Sequence, residues 1–249
     1  FAHLPMVLDD AGKKFSKRLH GANVLDWRDD GYLPEALINY VALLGWTPEE
    51  ENRELFSIDE LQAAFVPERW SKSAARFDRK KLDWLNGQHI RLLAPEVLQV
   101  RLTRILADAG FDVASKEDGW FATLTEVCQE KLSTLTQIVE LSDFFFNDIT
   151  SYEEKPVKKH WQAEGAVPLM IQLTSCMESV ESWDRDTLKA AFHDLGESID
   201  VGLGKLVHPT RLALTGKSVG PGLFELAELL GKEVAVARMR QGTEYIKTL

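Results

Sequence analysis

Apolar residues return at three- and four-residue steps through most of this chain, and no other feature constrains its fold so strongly. A period near 3.6 gathers such residues on one face of a helix, whereas a half-buried strand alternates every second residue. Leu37, Ile38, Val41 and Leu44 form one stripe, and Val97, Leu98, Leu102, Ile105, Leu106 and Ala109 form another. The same step recurs over residues 124–135, 138–146, 169–180, 187–199, 203–214, 223–230 and 233–240. No period-two run longer than a few residues competes with it, so the predicted fold class is all-α.

Local signals place the helix ends. Pro34 and Pro95 suit a first helical turn, where the missing N–H would be unpaired in any case, and Gly45 and Gly110 suit helix ends. Ser57 and Glu60 have the spacing of a capping box, predicting a helix through Phe65. Phe77-Asp78 opens a further helix that passes Leu82, Trp84 and Leu85, while residues 24–28 read as a short amphipathic turn ended by Gly31. Tyr40 and Trp46 are expected in the core. Phe144, Phe145 and Phe146 are expected as a core plug rather than as platforms for bases. The apolar rhythm breaks at Glu153-Glu154-Lys155-Pro156 and Lys158-Lys159-His160, which predicts a boundary between helical bundles near residues 150–165.

Composition removes several classes of function. At 249 residues and 45% hydrophobic content the chain can bury one large core or two smaller ones. Its two cysteines, Cys128 and Cys176, lie far apart without a C-x-x-C or paired histidines, and the six histidines are scattered. Neither a disulfide framework nor zinc is expected, and both thiols read as reduced core residues of a cytoplasmic protein. No apolar run approaches the roughly 20 residues that span a bilayer, so no membrane partner is expected. The first residues carry no charged-then-apolar signal, and Phe1 is no initiating residue, so the chain is expected to begin within a longer protein.

A net charge of −10 argues against indiscriminate coating of nucleic acid, but the charge is unevenly spread. Residues 67–91 hold seven cations (Arg69, Lys72, Arg76, Arg79, Lys80, Lys81 and Arg91) against Glu68, Asp78 and Asp83, a net +4 that leaves −14 for the remainder. Such a belt can neutralise backbone phosphates, or it can be a solvated helix face paired within itself. A second concentration, Lys13-Lys14-Phe15-Ser16-Lys17-Arg18, places four cations in six residues between Gly12 and Gly21. It reads either as a solvated turn or as a grip on a polyphosphate, for which lysine supplies a compact point charge.

Several strings carry a resemblance beyond these patterns. His3-Leu4-Pro5 precedes Lys14-Phe15-Ser16-Lys17; Gly31-Tyr32-Leu33-Pro34-Glu35-Ala36-Leu37-Ile38-Asn39-Tyr40 precedes Leu43-Leu44-Gly45-Trp46; and Phe77-Asp78 precedes Lys81-Leu82-x-Trp84-x-Asn86. Near the other end stand residues 211–216 (Arg-Leu-Ala-Leu-Thr-Gly), 220–225 (Gly-Pro-Gly-Leu-Phe-Glu) and 230–233 (Leu-Gly-Lys-Glu). Together they resemble the bacterial-type glutamyl-tRNA synthetases, a class I aminoacyl-tRNA synthetase family.

The resemblance implies a domain plan. Residues 1–22 would end the catalytic domain, 23–93 would form a helical stem-contact domain, and 94–152 and 153–249 would form two anticodon-binding helical subdomains. Lys14, Ser16 and Lys17 match the Lys-x-Ser-Lys loop, which holds ATP phosphates, Lys17 foremost, and stabilises charge as pyrophosphate leaves. Leu19 is inserted where the family runs directly into His-Gly. Arg76, Arg79, Lys80 and Lys81 fall on the stem-contact module. Arg211 matches an arginine that contacts anticodon bases, and Pro221, Gly222 and Leu223 match a helix-opening segment beside it. Gly220 stands where relatives carry Thr. Lys131 takes the place of an arginine that reads the third anticodon base, keeping the charge without the planar fork.

The family's His-x-Gly-His signature does not occur in these residues. The resemblance therefore implies the carboxy-terminal, tRNA-recognising half of a glutamate–tRNA ligase, inactive by itself. The intact enzyme would join glutamate to tRNA(Glu) through a glutamyl-adenylate with ATP and Mg²⁺; neither would be bound by this half. Its partners would be tRNA(Glu) and the catalytic domain of the same monomeric enzyme, with acceptance of tRNA(Gln) left open by Lys131. An autonomous tRNA-binding module of a diverged paralogue and a helical protein-interaction domain are the alternatives.

Overall fold

The computed structural model describes residues 5–9, 11–15 and 23–249. Ser16 and Lys17, and with them His3, Leu4 and Leu19, lie outside the described residues. The chain forms two compact units, one made of Phe1–Val113 with Cys128–Glu140 and the other of Ala114–Val127 with Leu141–Leu249. Both are helical, as the periodicity predicts.

In the first unit β1 (Val7–Leu8) pairs in parallel with β2 (Ala75–Arg76), two residues each. The helices are α1 (Val24–Asp29), α2 (Pro34–Gly45), α3 (Ile58–Ala64), α4 (Arg79–Arg91) and α5 (Pro95–Asp108). The ends of α3 and α4 follow the predicted chemistry, and α1 adds a cap of its own. Asn23 caps α1, Ser57 and Glu60 close a reciprocal capping box on α3, and the Asp78 carboxylate accepts from the Lys81 amide on α4. Trp27, Tyr32, Tyr40, Leu82 and Leu85 make the core between α1, α2 and α4. Burying each leucine contributes roughly 1.5–3 kcal/mol, and Leu82 and Leu85 are wholly buried.

Buried amides fix the connections around that core. Asn39 accepts from the Phe56 amide (2.9 Å) and from His89 Nε2 (3.0 Å) and donates to the Glu54 carbonyl (3.0 Å). Asn86 accepts from the Leu33 amide (2.8 Å) and donates to the Ser133 carbonyl (2.6 Å). Each satisfies backbone groups that no helix could satisfy. Gly31, at φ 89°, lets the chain pass where a Cβ would meet the backbone nitrogens of Thr136 and Leu135 at 2.6 and 2.8 Å.

The division between the units runs through α6 (Asp118–Gln129) and α7 (Gln137–Phe146). The second unit continues with a helical turn at Glu154–Pro156, then α8 (Ala166–Ser179), α9 (Arg185–Ser198), α10 (Leu203–Thr215), α11 (Leu223–Leu230) and α12 (Lys232–Ile246). The turn runs on through Val157–Trp161 as a wider coil, in which the Gln162 amide reaches back to the Val157 carbonyl at 3.1 Å. Its centre is α8 against α12, where the Thr174 and Thr243 hydroxyls meet at 3.2 Å. Phe144 and Phe145 are buried, and Trp120 meets Phe145 and Phe146 edge to face. Arg238, only 7% exposed, donates to the carbonyls of Leu214 (2.8 Å) and Asn147 (3.0 Å).

Candidate nucleic-acid interface

The cationic loop near the start begins as a tight turn. Asp9 accepts from the Lys13 amide at 2.8 Å, its own amide donates to the Lys13 carbonyl at 2.7 Å, and Gly12 takes φ 77°. Lys13 and Lys14 are exposed, and Phe15 turns inward to stack on Phe77 at 4.4 Å. Lys14 is therefore presented to solvent at the point where the predicted phosphate grip begins.

The basic belt divides into held and free cations. Arg79 lies between Asp30 and Asp83, 3.4 Å from each, with its guanidinium over the rings of Trp27 and Tyr32. The Tyr32 hydroxyl donates to Asp83, and burial together with that carboxylate raises its pKa above the ordinary phenol value. Lys81 pairs with Glu54 at 2.6 Å, Arg91 with Glu130 at 2.8 Å, and Arg69 donates to the Pro48 carbonyl at 3.0 Å. Lys72, Arg76 and Lys80 are exposed, with no ion pair among the described residues. Of the four belt residues that sequence singles out, Arg76 and Lys80 can reach an external phosphate directly; Arg79 and Lys81 must first leave a carboxylate.

Lys131 follows α6 in a turn closed by its amide on the Cys128 carbonyl at 2.8 Å, and its side chain is exposed. Neighbouring Cys128 is buried, which pushes its thiol pKa up to about 12. That thiol is a packing group, not a nucleophile.

Arg211, Gly220, Pro221, Gly222 and Leu223 come together in the second unit. Arg211 projects from α10, and its Nη1 donates to the Pro221 carbonyl. A Cβ at Gly220 would lie 3.3 Å from that nitrogen, so glycine leaves the guanidinium room. Gly222 caps α11, and a Cβ there would collide with the Glu225 carboxylate. Burial lowers the Arg211 pKa from the ordinary value while Glu225 opposes the shift, and arginine remains a cation throughout. The arrangement holds one arm of the guanidinium fork in a side chain that is partly buried and keeps some access to solvent. Pro221 and Leu223 are buried, so they shape the site from beneath and reach a ligand only through backbone.

Sequence reading passes over the part Asn39, Asn86 and Arg238 play in holding these elements, since a buried amide or guanidinium has no periodic signature. Among the described residues no three His, Cys, Asp or Glu side chains gather into a metal-holding group. No helix among them is long and apolar enough to cross a membrane.

Residues 1–84 match the catalytic domain of class I tRNA synthetases (E and Q), and residues 90–243 match an anticodon-binding domain. The glutamate–tRNA ligase of Moorella thermoacetica is 37% identical over 255 residues, covering 99% of this chain and 51% of the relative. That of Francisella philomiragia is 38% identical over 249 residues, covering 99% and 52%. The crystal structure of a glutamate tRNA ligase from Elizabethkingia meningosepticum in complex with its amino acid superposes with a TM-score of 0.84 at 31% identity, over 99% of this chain and 51% of that one. The chain thus spans about half the length of the curated relatives it matches. A catalytic-domain segment running directly into an anticodon-binding domain, on a helical fold shared throughout, means that this chain belongs to the glutamyl-tRNA synthetase family.

Proposed function

We propose that this chain is the tRNA-recognising part of a glutamate–tRNA ligase. The observation that carries the reading is the Arg211 site: a partly buried guanidinium oriented by the Pro221 carbonyl, within the segment that matches an anticodon-binding domain. Anticodon bases are unstacked, so their edges are open to a donor fork held in this way. The plan of residues 1–22, 23–93, 94–152 and 153–249 as catalytic-domain end, stem-contact domain and two anticodon-binding subdomains belongs to the same proposal. So do Lys131 as a base contact and Arg76 and Lys80 as stem contacts, with Arg79 and Lys81 available after exchange of their carboxylates.

In the intact ligase Lys14, Ser16 and Lys17 would hold the ATP phosphates while glutamate is activated as its adenylate. This chain would supply that grip, not the amino-acid pocket. The ligase is proposed to act in the cytoplasm as a monomer on tRNA(Glu). A helical protein-interaction module has less support, because such a module gives no reason for a synthetase catalytic segment in the same chain.

The test is titration of the chain against labelled tRNA(Glu) transcript and against the same transcript with altered anticodon bases. Arg211→Ala is expected to weaken binding of the first and leave the second unchanged; equal losses on both would refute the assignment. In the intact ligase Lys17→Ala is expected to slow ATP–pyrophosphate exchange without altering tRNA affinity. Unchanged exchange would remove the loop from the mechanism.

A further inference from the structure

Two packed elements of the second unit contain no acid at all. The wide turn Val157–Trp161 and α10, Leu203–Thr215, together hold eighteen residues, among them Lys158, Lys159, Lys205 and Arg211 with His160 and His208. At the chain's average of 39 acids in 249 residues, about three would be expected there. The two elements are in contact, and where they meet the imidazoles of His160 and His208 stack with centroids 5.1 Å apart and planes 15° from parallel.

Both elements are irregular at this point. The turn is widened to an i→i+5 bond, and α10 carries Pro209 in its interior immediately after His208. An interior proline costs a helix roughly 3 kcal/mol, and widened turns concentrate at functional sites. His208 precedes Arg211 by one turn, so their side chains are neighbours on the helix surface. His208 is exposed, as are Lys159 and Lys205, whose side chains make no ion pair or hydrogen bond among the described residues; Lys158 meets Glu154 at 3.8 Å with both side chains in solvent.

We infer that the α10 face of Lys205 and His208, with Lys159 and His160 of the adjoining turn, is a contact for RNA backbone phosphate, continuous with the Arg211 site. Arg211 distinguishes bases and this face holds the strand that carries them, without regard to sequence. The stacked rings and the ammonium groups beside them offer a phosphate diester ring N–H and N–H⁺ donors at one place. The inference rests on the proposed tRNA-binding function and extends it to the backbone.

The experiment uses the full 249-residue chain and labelled tRNA(Glu) transcript, with affinity measured by fluorescence anisotropy from 50 to 200 mM KCl. Lys159→Gln/Lys205→Gln is expected to weaken binding on the order of tenfold at the lowest salt. It should also reduce the slope of log affinity against log salt by about 1.4 to 1.8, two phosphate contacts' worth. The loss should be equal for a transcript with a changed anticodon. Lys159→Arg/Lys205→Arg is expected to restore affinity and slope, which separates charge from folding. Wild-type affinity and slope in the Gln variant, alongside a cognate-specific loss in Arg211→Ala, would overturn this face and leave the anticodon reading standing. No binding by the unmodified chain would remove both.

Discussion

Two regions of this protein are rich in cations, and they differ in where the acids lie. In residues 67–91 the cations are interleaved with Asp78 and Asp83 and folded against Asp30, Glu49, Glu54 and Glu130. Arg69, Arg79, Lys81 and Arg91 are consequently committed inside the protein. Along α10 and the wide turn beside it there is no acid to interleave, and Lys159 and Lys205 stay in solvent. Net charge along a chain is therefore a poor measure of charge on offer. An electrostatic surface is defined as much by the carboxylates absent from neighbouring elements as by the lysines present.

The sharpest challenge to this contrast is Arg211→Ala, expected to cost about 1–3 kcal/mol of cognate tRNA binding, or roughly 5- to 150-fold. Anisotropy titration at fixed salt measures it, and an intact affinity would demote Arg211 to an ordinary surface residue. Next comes Lys72→Gln/Arg76→Gln/Lys80→Gln, which removes the free cations of the belt. The salt slope should fall by about 2 while thermal stability is kept; an unchanged slope would mean the belt never meets RNA. Smaller again is Arg79→Gln/Lys81→Gln, which removes held cations. Here the salt slope should fall by clearly less than in the first set, while the exposed pairs contribute no more than about 1 kcal/mol each to stability, read from urea unfolding. A slope change as large as that of the first set would erase the distinction between held and free.

The smallest effect concerns pH. Burial lowers the His89 pKa below its ordinary 6.5 against an opposing pull from Glu35, and His160 is lowered by burial, His208 and Lys159. Both rings bind protons more weakly folded than unfolded. Their contribution to stability is present above pH 6.5 and is lost as the pH falls below it. The urea midpoint should decline between pH 7 and 5.5, and a midpoint that rises on acidification would contradict the packing of both histidines.

Much of the helical fold is legible in the sequence because punctuation and period agree. Pro34 and Gly45 bound α2 as expected, the Ser57–Glu60 box forms, and Gly110 takes a left-handed φ of 89°. The choice of buried face is less legible. Of the stripe read along α2, Ile38 and Val41 are 51% and 62% exposed and line an open apolar groove with Val24 and Phe65, while Ala36, Asn39 and Tyr40 are buried. Asn39 decides that orientation by serving the backbone of Glu54 and Phe56, and a polar residue inside carries no hydrophobic signal. Residues 124–135 likewise read as one helix, whereas α6 ends at Gln129 and a turn carries Lys131. At the candidate site the motif strings single out Arg211 and Pro221, and the structure brings the two into contact. Only coordinates reveal that a carbonyl holds the arginine and that the proline ring is covered.

The return of Cys128–Glu140 to the first unit sets a limit on how this protein can be cut. Gln129 donates to the carbonyls of Ile90, Arg91 and Leu93, Arg91 grips Glu130, Asn86 reaches Ser133, and Leu135 bonds Gly31. A fragment ended near residue 93, a few residues past the point where the two family segments adjoin, would leave all of these groups without their counterparts. Anyone grafting one synthetase's anticodon reader onto another's stem module would need two junctions, one on either side of that inserted clasp.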